Sequence, residues 1–219
     1  MLKLRSFIGQ KKKSSSLVAG IGFKGTKYSA KIDGKHTVEY RAWRDMLQRC
    51  YNGEGSSRNK SYKSCTVSEN FKSFEYFYEW CQAQVGFGNK DEKGKSWHLD
   101  KDLLVKGNKI YSEDTCVFIP NKINCLFVNC GRVKGKFMAG VSFDDKANKF
   151  ISQCSNGNGK PEKLGTFKTE IEAFQAYKVF KEARVKRVTE EFKGRIDNRA
   201  YEALLSWEVV ENTQTVIGE

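Results

Sequence analysis

The residues best equipped for chemistry lie between Trp97 and Asn124. The run Trp97-His-Leu-Asp-Lys-Asp-Leu-Leu104 reads as a strand. Side chains alternate along a strand, so His98, Asp100 and Asp102 are expected on one face. Downstream, Pro120 and Asn121 open a predicted short helix that offers the carboxamide oxygen of Asn124. Few, hard oxygen donors of this kind suit one Mg²⁺ ion that keeps several of its waters. Such an ion can stabilise charge on a phosphate under attack and on the oxygen that leaves. The same residues also fit a plainer role, a solvated acidic strand face followed by a helix-capping Asn, and both readings stay open at this point.

The elements that must position these groups follow from turn signals and periodicity. Lys106-Gly-Asn-Lys109 is a predicted turn and Cys116-Val-Phe-Ile119 a second strand, giving the order strand, long connection, strand, short helix. Upstream, Lys11-Lys-Lys-Ser-Ser-Ser16 closes a basic segment, 1–16, expected to be a flexible arm. Asp33-Gly34 joins Tyr28–Ile32 to Lys35–Val38, the strongest short signal for a hairpin. Two helices are predicted next, near 39–50 and 69–83, with Tyr40, Trp43, Met46 and Leu47 on the first and Phe71, Phe74, Phe77, Tyr78 and Cys81 on the second. Their helical spacing points to core packing rather than to a platform for stacking bases. A boundary is expected at 131–135. Three short strands, 137–143, 149–155 and 162–167, then lead into a helix opened by the capping box Thr169-Glu-Ile-Glu172. That helix is expected to bury Ile171, Phe174, Tyr177, Phe180 and Val188 and to show Lys178, Lys181, Arg184, Lys186 and Arg187. Gly194 ends it, and a short helix at 200–205 and a packing strand at 207–210 complete the pattern. The fold class is α+β.

Charge bounds the partners. The 219 residues hold 39 Lys and Arg against 26 Asp and Glu, a net charge of +13, with a pI near 9.4. A balance of this sign attracts polyanions, nucleic acid first among them. No run of about 18 apolar residues occurs, so no membrane partner is expected, and Met1-Leu-Lys-Leu-Arg5 is not followed by the apolar core of a signal peptide. The seven cysteines (50, 65, 81, 116, 125, 130 and 154) form no C-x-x-C pair, so they read as reduced thiols, mostly core residues, in a cytoplasmic compartment.

Leu99-Asp-Lys-Asp102, Gly107-Asn108 and Asp114-Thr-Cys-Val-Phe-Ile-Pro-Asn-Lys-Ile-Asn124 together resemble the ββα-metal core of phage HNH homing endonucleases. The resemblance implies that Asp100 and Asn124 hold a divalent metal, Mg²⁺, and that Asn108 braces the loop between the two strands. The family places its catalytic His after the metal-binding Asp, where this chain has Lys101. A lysine of ordinary pKa is protonated near neutrality and is a poor base. His98, on the other side of Leu99, is the nearest substitute, although the family does not place its base there.

Farther on, Gly140-Val-Ser-Phe143, Lys149-Phe150, Leu164-Gly-Thr-Phe-Lys-Thr-Glu170 and Glu172-Ala-Phe-Gln-Ala-Tyr177 resemble the Apetala-type DNA-binding domain of ethylene-response factors, which phage homing endonucleases also carry. The resemblance spans about 137–193 and implies a three-stranded antiparallel sheet on one helix, with the sheet in the major groove of duplex DNA. A small sheet fits that groove, roughly 12 Å wide. Lys149, Lys160 and Lys163 would hold phosphates, while Gln153, Asn156 and Asn158 would reach base edges; Lys181, Arg184 and Arg187 would add basic contacts from the helix. The expected organisation is a basic arm (1–16), an HNH-like domain (17–130), an Apetala-type domain (131–195) and a C-terminal helix and strand (196–219). Two functions follow: a Mg²⁺-dependent, site-specific endonuclease of a phage or mobile element, or a domesticated relative that has lost cleavage and represses transcription. An RNA-binding role fits less well, because the deep, narrow major groove of A-form RNA excludes a sheet. The oligomeric state, monomer or homodimer, is left open; a dimer would imply a palindromic target.

Overall fold

The computed structural model describes residues 17–51, 62, 64–127, 136–157 and 160–210. The basic arm, Cys130, Asn158 and the expected boundary at 131–135 lie outside them. The described parts of Met1–Ala83 and Asn108–Asp114 form one compact unit, and those of Gln84–Gly107 and Thr115–Glu219 form a second. The chain is mixed α+β, with five α-helices and several small sheets among the described residues. No described helix is long and apolar enough to cross a membrane.

The first unit opens with a hairpin, β1 (Lys31–Ile32) and β2 (Lys35–His36). Its link places Asp33 and Gly34 at φ 49° and 74°, the left-handed pair that matches the twist of the flanking strands. Helix α1 (Val38–Tyr51) buries Tyr40, Trp43, Met46 and Leu47, the stripe that periodicity predicts. Strand β3 (Thr66–Val67) is followed by a single 3-10 turn at Asn70–Lys72 and by α2 (Phe74–Gln82), whose Ser73 cap accepts the Tyr76 N–H. The second helix therefore begins later than the pattern suggests. Phe71, Phe74 and Phe77 are fully buried, and the Trp43 indole donates to the Phe71 carbonyl at 2.8 Å, satisfying its one polar atom.

In the second unit β4 is His98–Asp100. The chain then returns to the first unit for β5 (Ile110–Tyr111), which pairs in parallel with β3. Neither strand of that two-residue pair is expected from the sequence. The chain re-enters the second unit with β6 (Val117–Ile119) and α3 (Asn121–Phe127). Three antiparallel strands in the order β7 (Val141–Asp144), β8 (Lys149–Ser155) and β9 (Pro161–Phe167) follow, and α4 (Glu170–Glu190) packs against all three. At Gly140, φ is +75° and an added Cβ would stand 2.1 Å from the Tyr177 ring, so only glycine lets the start of β7 close on the helix. The capping box forms as expected: Thr169 accepts the Glu172 N–H, and Glu172 accepts the Thr169 N–H. The last helix, α5, is Asn198–Leu205. Residues 207–210, expected as a strand, form none among the described residues, and Val209 is buried against Phe174, Tyr177 and Cys154.

Candidate nucleic-acid interface and catalytic centre

Strand register fixes the outer sheet face. Ser142 pairs with Ile151, and Ile151 with Thr166, on the side away from α4. The register then shifts: Ser152 pairs with Gly165 but Gln153 with Lys163, so Leu164 is an extra residue in β9. An unbroken ladder would set Lys163 opposite Cys154, a core residue beneath the sheet. The bulge reverses that parity, turning Leu164 inward to the core and placing Lys163 beside Gln153 on the outer face. Lys149 shares the face by alternation along β8, and all three side chains are exposed. Lys160 is also exposed, next to the start of β9, whereas Asn156 is half-buried.

The helix residues expected to join them behave differently. Lys181 is buried, 4% exposed, and its ammonium donates to the Leu126 carbonyl at 2.5 Å. It occupies the middle of the stripe Phe174, Tyr177, Val185, Val188, and its charge serves the C-terminal end of α3. Lys181 is therefore corrected from a DNA contact to a structural cation. Ile171, expected in the core, is 59% exposed, because the buried face of α4 runs through Ala173, Phe174 and Tyr177 and Ile171 falls to one side of it. The Arg184 guanidinium donates to the Ser155 carbonyl at the end of β8 and braces the strand. Arg187 is exposed, but on the helix side of the sheet, so it shares no face with Lys149, Gln153 and Lys163.

The acidic centre is a ββα arrangement. β4 and β6 run antiparallel, with His98 opposite Ile119 and Asp100 opposite Val117, and α3 follows β6 directly and packs on β4. The strand expected through Leu104 stops at Asp100, because the Asp100 carboxylate accepts the N–H groups of Asp102 (3.0 Å) and Leu103 (2.8 Å) and bends the chain. Asp102 thus leaves the strand face that alternation assigns it, yet both carboxylates line one cavity of about 320 Å³. Both backbone bonds fall on Oδ1 of Asp100. Burial, then repulsion from Asp102, pushes its pKa up to about 6 against those two bonds.

Lys101 is 5% exposed and its ammonium lies 3.1 Å from Asp102 Oδ2. His98 is half-buried on β4. Asn124 is half-buried on α3, and neither His98 nor Asn124 lines the cavity. Asn108 belongs to the first unit, where its amide donates to the Ile110 carbonyl at 2.7 Å and its Oδ1 accepts the Ile110 N–H, clamping the entry to β5. The remaining cavity walls, Phe127, Tyr177 and Trp207 among them, are residues that the sequence reading assigned no role beyond packing. Their gathering depends on tertiary contacts that leave no local pattern.

Among the described residues no group of three or more His, Cys, Asp and Glu side chains is gathered to hold a metal ion. The donors that are present, two adjacent carboxylates, still fit a hard cation that binds through one or two carboxylates and retains waters. A divalent ion would also relieve the repulsion that raises the Asp100 pKa. Of the six described cysteines four are buried and Cys125 is exposed. No protein-family model, curated protein or solved structure matches the chain.

Proposed function

We propose that this chain is a sequence-specific double-stranded DNA-binding protein of the HNH homing-endonuclease type, which docks the outer face of β7–β9 in the major groove. The observation that carries the reading is the cross-strand pair Gln153–Lys163, with Lys149 on the same exposed face. An amide suited to base edges shares this face with two ammonium groups suited to phosphates. The net charge of +13 supplies the long-range attraction. Simultaneous alanine replacement of Lys149, Gln153 and Lys163, tested by fluorescence anisotropy on duplex fragments, should weaken binding at least about tenfold, a loss of about 1.4 kcal/mol. Unchanged affinity would remove the sheet from the interface.

In the nuclease form of this reading, Asp100 and Asn124 would hold Mg²⁺, with Asp102 beside Asp100. When bound, that ion supplies Lewis-acid stabilisation of charge on the scissile phosphate. His98, two residues before Asp100 on β4, is then the candidate base, because an imidazole of ordinary pKa suits that role. The alternative, a transcriptional repressor descended from such an enzyme, is favoured by one observation: Lys101 is buried and ion-paired at the position where the family carries its base. Incubating duplex libraries with protein and Mg²⁺ or Mn²⁺ separates the two. Scission that disappears in Asp100→Ala while binding persists identifies the nuclease; retarded but intact duplex at every metal concentration identifies the repressor.

A further inference from the structure

The cavity beside Asp100 has walls that a metal site alone does not require. Phe127 and Trp207 meet edge to face, ring centroids 5.3 Å apart, and Tyr177 and Val209 continue the apolar surface. Asp100, Asp102 and Lys106 line the same space. At about 320 Å³ it lies at the small end of ligand pockets, about 300–1,000 Å³, with room for one flat heterocycle and its sugar but not for a base pair. Asp102 pairs with Lys101 through Oδ2, and its other carboxylate oxygen can accept a hydrogen bond from an amine. Aromatic walls favour a planar ring.

We infer that this cavity receives a single unstacked nucleobase bearing an exocyclic amine. The ring lies against Phe127 and Trp207, and its amine donates to Asp102. Carboxylates pair with the cytosine N4 amine in this way, and a base drawn from a duplex is held by edge hydrogen bonds and by packing between rings. Bases without such an amine, uracil and thymine, present carbonyl oxygens to the same carboxylates and are disfavoured. The inference rests on the DNA-binding reading and names the part of the substrate that the second site takes.

The test uses the full chain without metal and free nucleosides, followed by saturation-transfer NMR. Cytidine should bind, and uridine should bind at least about tenfold more weakly. Trp207→Ala should lose cytidine binding while Trp207→Phe, which keeps a ring in place, retains most of it. Asp102→Asn should abolish the preference for cytidine over uridine. Equal binding of cytidine and uridine to the unaltered protein, or binding of neither, overturns the inference. Benzylamine binding as tightly as cytidine also overturns it, because the cavity would then be an amine site. Failure here with intact duplex binding sinks only the pocket, whereas unchanged duplex affinity in the outer-face variant with nucleoside binding retained sinks only the sheet.

Discussion

Asp100 carries two loads at once. It bends the chain by accepting two backbone N–H groups, and it holds a charge that burial and Asp102 both oppose. An acid whose pKa rises on folding favours the native state when protonated. The penalty is therefore absent below its ordinary value of 3.8, grows as pH climbs from there to about 6, and is constant above. Asp100→Asn keeps an oxygen for the turn and removes the charge. In urea unfolding it should gain about 1–3 kcal/mol at pH 8 and nothing near pH 4; an equal gain at both pH values would mean that the charge is not the cause. Asp100 was legible as a candidate because its residue type and its neighbours mark it. Lys181 was misread although its signal was present: it falls four residues after Tyr177 and four before Val185, the middle of an apolar stripe, where a charge reads as exposed unless the spacing is given more weight than the residue type.

Elements divide by length. Helices α1 and α4 and strand β8 were readable because each repeats its pattern over two or more turns or several alternations. β3 and β5 were not, since two residues carry no period and their pairing joins segments more than forty positions apart. The early end of β4 was hidden because a side chain, not the backbone pattern, decides it. The capping box of α4 was readable from four residues, and its energy can be tested directly. Thr169→Ala removes the acceptor for the Glu172 N–H and should cost about 1 kcal/mol, lowering Tm by about 2–4 °C. Glu170→Ala would leave that bond in place. Thr169→Ser should restore most of the loss, and an unshifted melting temperature in Thr169→Ala would show that the cap contributes nothing.

At the scale of the molecule, the basic excess was legible at once, but its arrangement was not. Charge counts give only the sign of the molecule, whereas the register shift in β9 decides which lysine stands on the outer face. On the proposed reading, each phosphate contact removed should reduce the salt slope of duplex binding by about 0.9. Replacing Lys149 and Lys163 by Gln should therefore flatten the slope by nearly two, measured as affinity against salt concentration, while Lys181→Met should leave it unchanged. The Lys181 ammonium has a consequence of another kind. Its acceptor belongs to α3, so the acidic centre and the sheet-bearing helix share a buried electrostatic tie within one compact unit. Grafting residues 136–210 onto a foreign scaffold would remove the acceptor of that cation and uncover the stripe of α4 on which α3 packs, destabilising the helix. The three-stranded sheet and the acidic centre are therefore not separable modules: a transplanted piece keeps the tie only if it begins upstream of α3.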